Sequence, residues 1–401
     1  MKSRVMPAVV AVIVCFSLFA GACSSKLPPE TLPVATPTTT AETVIETETT
    51  VAEIIQETEA TRGPNSTPQV LDVPVEVNGQ LHVEGTQLVN EYGVPIQLKG
   101  MSSGGLQSCF QFFNDDVCDT LIQDWGCTVI RLAMTSHGLD NGYTYFPERY
   151  FNEVCGYLDT LIAHGVYVIV DWHVLFDGDP TEYEADAIDF FTRISALYGD
   201  NPHIIYEVCN EPNGMRYDDP DSPVDWENVI KPYAERVIAA IRENDPDNII
   251  IVGTPTWSQD VDVASLDPID EDNIMYTLHF YAGSHGEDHM DKVRTAVENG
   301  LPIFCTEWGV SLDSGNSGVF YTETLEWMEL LDEYNISWCN WSIGTAILES
   351  SNALRLYSNR FTVEEKIAGH WPDEMISDSG LFVRSLILGT DFEIPEGGYS
   401  N

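Results

Sequence analysis

The run "PYAERVIAAIRENDPDNIIIVGT" (232–254) holds the fold in miniature. Val237, Ile238 and Ile241 recur at helical spacing and mark one apolar face over 232–244. "DPDN" then stops the helix, since Pro cannot continue it and Asp and Asn favour turns. "NIIIVGT" (248–254) follows as a short, unbroken β-branched run, the pattern of a strand buried on both faces. Upstream, "HIIYEVCNE" (203–211) has the same character and breaks at "PNG". Strand, helix and strand in this order predict a parallel pair.

The alternation repeats in both directions. Further strands are expected at "PIQLKGM" (95–101), "CTVIRLAM" (127–134), "VYVIVDWH" (166–173), "NIMYTLHFY" (273–281), "LPIFCTEW" (301–308) and "ISWCNWS" (336–342). Eight strand–helix units over roughly 300 residues predict an α/β fold, a (β/α)8 barrel spanning residues 72–392. An open doubly wound sheet would carry a Gly-rich phosphate loop after its first strand, and "GMSSGGLQ" lacks that spacing. Ahead of the barrel, "LHVEGTQLVNEYGVPIQLKG" reads as two short strands joined by a turn containing Tyr92 and Gly93.

The termini differ in kind. Lys2 and Arg4 precede a short apolar stretch ending in "LFAGAC", so residues 1–23 read as a signal segment with Cys23 as an acylation site. Simple secretion is the alternative. Residues 24–71 are rich in Thr, Glu and Pro and poor in large apolar side chains. They read as a solvated linker, with a weak helix over "ETVIETETTVAEIIQE" as the alternative. Residues 393–401 form a short tail. These features place the chain outside a bacterial cell, either lipid-anchored or free.

Sixty-four Asp and Glu against 18 Lys and Arg give a formal charge of −46. Such a chain repels phosphate backbones and anionic headgroups, so nucleic acid is excluded as a partner and membrane contact is confined to the N-terminal anchor. The cysteines beyond the signal (109, 118, 127, 155, 209, 305 and 339) show no zinc-ligand spacing. Cys109 and Cys118 could pair across a loop, but an odd total argues against a full disulfide framework.

In a barrel of this kind the strand C-termini carry the chemistry. Arg131 sits in strand two, Asp171, Trp172 and His173 end strand three, and Asn210 and Glu211 end strand four. His279 and Tyr281 end strand six, Glu307 and Trp308 strand seven, and Trp341 strand eight. Any one of these could merely satisfy a loop. Gathered at six of eight ends they are costly to bury, and stability alone would not collect them. Glu211 and Glu307 would face each other across the mouth. Glycosidic hydrolysis requires two opposed carboxyls, one to protonate the leaving oxygen and one to attack or to activate water. The one beside Arg131 would be the nucleophile, though sequence does not say which that is.

These residues resemble glycoside hydrolase family 5, close to the bacterial endo-β-1,4-glucanases. The match rests on "GTQLVNEYGVPIQLKGMSS", "VIRLAM", "VYVIVDWHVL", "IIYEVCNEPNG", "IKPYAERVIAAIRENDPDNIIIVGTPTWSQDV", "LHFYAGSHG", "IFCTEWGV" and "SWCNWS". The resemblance implies Glu211 as acid/base, Glu307 as nucleophile and Arg131 as its support. It implies that His173, Asn210, His279, Tyr281 and Trp341 contact sugar, and that no metal or cofactor takes part. The implied partner is a β-glucan cleaved with retention, and the chain is expected to be a monomer. Mixed-linkage glucan, xyloglucan or mannan is the alternative substrate, and a glycan-binding protein on a hydrolase scaffold the alternative class. The chain departs from the family's usual glycone wall. Gly104 stands for a His, Ser108 for a Trp and Thr135 for a Tyr, and "GTAILESS" (344–351) lacks the usual Lys. His137 and Tyr143 are read as candidate substitutes.

Overall fold

A computed structural model describes residues 74–138, 141–214, 224–344, 349–355 and 361–396. The expected signal segment and linker lie outside the described residues, as does most of the expected C-terminal tail. Eight parallel strands close into a barrel: β3 (Lys99–Ser103), β4 (Val129–Thr135), β5 (Tyr167–His173), β6 (Ile204–Glu207), β7 (Ile250–Val252), β8 (Ile274–Tyr281), β9 (Ile303–Gly309) and β10 (Trp338–Ile343). Each pairs with its sequence neighbour, and β10 pairs with β3. This is the (β/α)8 architecture expected from the sequence.

The helices lie between strands. In α1 (Pro147–Ala163), Tyr150, Phe151, Val154, Leu158 and Leu161 form the buried stripe. In α2 (Lys231–Arg242), Tyr233, Ala234, Val237, Ile238 and Ile241 do the same. The "DPDN" stop has a second use. Asp245 is buried, accepts the Tyr206 hydroxyl at 2.6 Å and accepts Asn248 Nδ2 at 2.7 Å, which locks the helix exit onto β6.

Two apolar clusters result, one between helices and strands and one inside the barrel. The inner cluster holds Val129, Ile169, Ile205, Ile251, Met275, Phe304 and Cys339, together with Val75, Leu81, Leu88 and Leu98 from the N-terminal segment. The hairpin of β1 (His82–Glu84) and β2 (Gln87–Val89) therefore plugs the barrel's N-terminal mouth. Hydrogen bonds to loops at that mouth, Val83 N to Asn273 Oδ1 and Gln87 Nε2 to the Tyr334 carbonyl, fix it there. The hairpin turns at Gly85 and Thr86. Tyr92 and Gly93 instead form the next turn, which returns the chain to the Val89–Pro95 bridge. With one end sealed by apolar packing, the polar residues collect at the other.

Candidate active site

Above the inner apolar layer the barrel lumen turns polar. Arg131 projects from β4 and is fully buried. Its guanidinium meets three carboxyls from three other strands. Nε and Nη2 grip both oxygens of Glu207 (2.7 and 3.1 Å), Nη2 reaches Asp171 Oδ2 (2.8 Å), and Nη1 reaches Glu307 Oε2 (3.2 Å). Nη2 also donates to Asn210 Oδ1 (2.6 Å) and Nη1 to Ser102 Oγ (3.3 Å). A planar fork with five N–H groups can serve several acceptors at once, which an ammonium cannot. Burial acts against this charge, but the surrounding carboxylates outweigh it and hold Arg131 well above its ordinary value.

The first two of these carboxyls support the others. Burial pushes Asp171 up to about 8 and Glu207 up to about 7, each opposed by Arg131. Asp171 Oδ2 also contacts His173 Nδ1 at 2.7 Å. Oδ2 already accepts from Arg131, and a proton on this carboxyl sits on the unpartnered Oδ1, so Oδ2 accepts here too: Nδ1 carries the hydrogen and Nε2 is left as an acceptor. Burial lowers His173 to about 4, so the ring is neutral. Trp341 lies parallel to it, with centroids 5.4 Å apart and planes 7° apart.

Glu307 lies near the C-terminal end of β9 with both oxygens receiving donors: the Tyr281 hydroxyl at 2.8 Å on Oε1 and Arg131 on Oε2. Glu211 differs. The β6 ladder stops at Glu207, earlier than expected, and the chain runs on to Glu211 beside the end of β5, where Asn210 N bonds the Trp172 carbonyl and Glu211 N the Val174 carbonyl. The side-chain contact of Glu211 is His279 Nδ1, at 2.9 Å. Burial first, then the nearby Glu307, raises Glu211 well above its ordinary value. Glu211, His279 and Glu307 each bring one polar atom within 4.8 Å of the others. The structure thus brings all eight expected residues to one end of the barrel and settles the question of proximity: Arg131 bonds Glu307.

The backbone behind Glu211 is braced from β7. Thr256, Trp257 and Ser258 all adopt left-handed φ angles of 56–57°, a conformation that costs of order 1 kcal/mol per non-glycine residue. That turn lets Trp257 N reach the Pro212 carbonyl (3.3 Å) and Ser258 Oγ the Asn210 carbonyl (2.5 Å). Gly253 allows the approach, since a Cβ there would lie 2.4 Å from the Cys209 carbonyl oxygen.

The glycone-side expectations fare unevenly. Tyr143 is buried edge-on against Trp172 and Phe190, so it offers nothing to a ligand. His137 is sandwiched between Tyr145 (4.9 Å) and Tyr183 (4.5 Å), with both faces covered. Neither replaces the family's missing groups. A Cβ at Gly104 would sit 2.8 Å from Cys109 Sγ, so the thiol occupies the space of the usual side chain. Cys109 and Cys118 are free thiols, as are the other five described cysteines. The Ser108 side chain and residues 345–348 lie outside the described part. Three contributors went unnoticed as site residues: Glu207, Thr306 and Ser102. The available signal was Glu207, a charge inside an apolar strand.

The family model for cellulase (glycosyl hydrolase family 5) matches residues 89–346. Endoglucanase A of Evansella cellulosilytica is 48% identical over 296 residues, covering 74% of this chain and 57% of that protein. An endoglucanase of Clostridium saccharobutylicum is 44% identical over 313 residues, covering 78% of this chain and 66% of that protein. The chain thus spans between about half and two thirds of these relatives' length. The catalytic domain of alkaline cellulase K superposes with a TM-score of 0.75 at 36% identity, covering 81% of this chain and 98% of that one. On sequence and on fold, the chain belongs to glycosyl hydrolase family 5.

Proposed function

We propose that this chain is a retaining endo-β-1,4-glucanase, with Glu307 as nucleophile and Glu211 as general acid/base. One observation carries the reading: Glu211 and Glu307 approach within 4.8 Å. Double displacement uses carboxyls about 5–5.5 Å apart, whereas inversion needs about 6.5–9.5 Å to admit a water molecule. The environments separate the roles. Glu307 receives two donors and attacks the anomeric carbon as an anion, forming a glycosyl-enzyme. Glu211, which burial keeps protonated, protonates the departing oxygen and later takes a proton from water.

Asn210 holds its amide by Oδ1 on Arg131 and by one N–H on the Val174 carbonyl, which leaves its second N–H for the sugar's 2-hydroxyl. His173 offers Nε2 as an acceptor, and the half-buried Trp341 offers its outer face to a pyranose ring. The names of the relatives support β-1,4-glucan as substrate. The altered wall around Gly104 and Thr135 supports a changed glycone preference, and the second reading keeps the mechanism on mixed-linkage glucan, xyloglucan or mannan. The N-terminal sequence supports export, with Cys23 as a lipid attachment point and residues 24–71 as a tether to a barrel at 72–392.

The test is product analysis on a panel of β-glycans, with anomeric configuration followed by proton NMR. Retention is expected, and Glu307→Gln should abolish turnover while keeping the fold. Net inversion, or a Glu307→Gln variant as active as the wild type, would overturn the assignment.

A further inference from the structure

Glu211 faces a ring nitrogen, and what that nitrogen carries is decided two residues away. His279 Nε2 lies 2.9 Å from Thr306 Oγ1. The Thr306 hydroxyl has a single hydrogen, and it donates to Glu207 Oε1 at 2.8 Å. Both Glu207 oxygens sit in the fork of Arg131 and act as acceptors. With its hydrogen committed, Thr306 can only accept from His279, so Nε2 carries the imidazole hydrogen. Burial holds His279 well below its ordinary value, which makes the ring neutral. Nδ1 is therefore bare, and it points at Glu211 Oε1.

We infer that Thr306, backed by Glu207, is a positioning residue that locks His279 in the Nε2–H tautomer and so keeps the proton on Glu211. A bare nitrogen accepts from a protonated carboxyl and repels an ionised one, so it favours the neutral form. His173, in contrast, is locked in the opposite tautomer by Asp171. The two neutral imidazoles at the mouth thus face opposite ways, each set by a different partner of Arg131. The other charged groups acting on Glu211 are Glu307 from β9, Arg131 from β4, Asp171 from β5 and Glu207 from β6. Glu211 makes its side-chain hydrogen bond with none of these groups but with His279, which is therefore the adjustable neighbour.

This inference rests on Glu211 being the acid/base. Thr306→Val removes the acceptor for Nε2–H and frees the ring to adopt Nδ1–H, which donates to ionised Glu211 and stabilises it. The alkaline limb of kcat/KM on cello-oligosaccharides should then move down by about one pH unit, the scale of one hydrogen bond. Thr306→Ser keeps the hydroxyl and should keep the limb in place. On a dinitrophenyl cellobioside, whose leaving group needs no proton, Thr306→Val should lose a smaller share of the wild-type kcat/KM than it loses on cello-oligosaccharides at alkaline pH. Nitrogen-15 NMR of the histidine-labelled wild-type protein, with His279 assigned by its absence in His279→Gln, should show Nε2 protonated and Nδ1 bare. A protonated Nδ1 in the wild type overturns the inference, even if Thr306→Val does not fold. So does a folded Thr306→Val with an unmoved limb. If instead Glu211→Gln retains the wild-type limb, the acid/base assignment itself has failed, whatever the tautomer.

Discussion

Arg131→Lys keeps a positive charge in the lumen and removes the fork. The arginine makes contacts with Glu207 (twice), Asp171, Glu307, Asn210 and Ser102, all at 2.6–3.3 Å. An ammonium has three donors on one atom and cannot span acceptors on four strands, so at least two charge-assisted bonds are lost. At about 1.5–3 kcal/mol each, the expected loss of stability is about 4 kcal/mol, within the range for breaking a buried ion network. A domain of ~320 residues has an unfolding entropy near 0.7 kcal/mol/K, so the melting temperature should fall by about 6 °C. The assay is thermal unfolding followed by near-ultraviolet circular dichroism and calorimetry at one pH, with kcat/KM measured in parallel. The double variant with Glu207→Gln should be less unstable than the two single losses added together, because both break the same bidentate pair. If Arg131→Lys melts within about 1 °C of wild type, or the two losses add, the fork does not hold the strands together and the reasoning is wrong.

Stability should fall as pH rises from 6.5 to 8. Native Asp171 keeps a proton, on its unpartnered Oδ1, up to about 8, which the unfolded chain has already lost. The window begins at 6.5 because below it the neutral His173 and His285, both held down to about 4 by burial, act in the opposite direction. A denaturation midpoint that rises over this interval would refute the assignment. Gly104→His alone should cost about 1–3 kcal/mol through overpacking against Cys109 Sγ, and adding Cys109→Ala should recover much of that. Equal melting temperatures for the single and double variants would contradict this. Cys109 and Cys118 are pushed up to about 11 and about 12 by burial, so iodoacetamide at neutral pH should label the half-buried Cys155 first and those two only after unfolding. Peptide mass spectrometry reads the order, and labelling of Cys109 as fast as Cys155 in the folded protein would refute it.

The barrel was legible because strands buried on both faces leave continuous apolar runs, and none of the eight was missed. The ladder edges were less legible, for physical reasons. The first strand was expected at 95–101 and forms at Lys99–Ser103. Pro95 has no donor, and Ile96 and Leu98 are apolar because they pack into the plug, ahead of the barrel ladder. The strand containing Tyr206 was expected to reach 211, yet its ladder with β7 ends at Glu207, beyond which Val208 and Cys209 pack into the outer core. The eight site residues stood out because each is a charged, ring or amide group inside or at the end of an apolar run. Thr306 and Ser102 did not, since a hydroxyl inside a strand is common and its partner lies on another strand. Tyr143 misled for the converse reason: an aromatic in a polar loop can be the residue that anchors the loop to the core.

The proton inventory of the lumen explains why its two reacting carboxyls cannot be interchangeable. Asp171, Glu207, Glu211 and Glu307 share one guanidinium, and the two imidazoles beside them are neutral. Were all four ionised, a buried region would hold three uncompensated negative charges, at several kcal/mol each. Protons must stay, and they stay where the fewest donors compete with them. Glu207 and Glu307 each receive two or more donors. Asp171 has one oxygen, Oδ1, with no partner. Glu211 faces a bare nitrogen. A second cation in the lumen would not strengthen this site. It would ionise Glu211, and the proposed chemistry would lose its acid while every contact around Glu307 stayed in place.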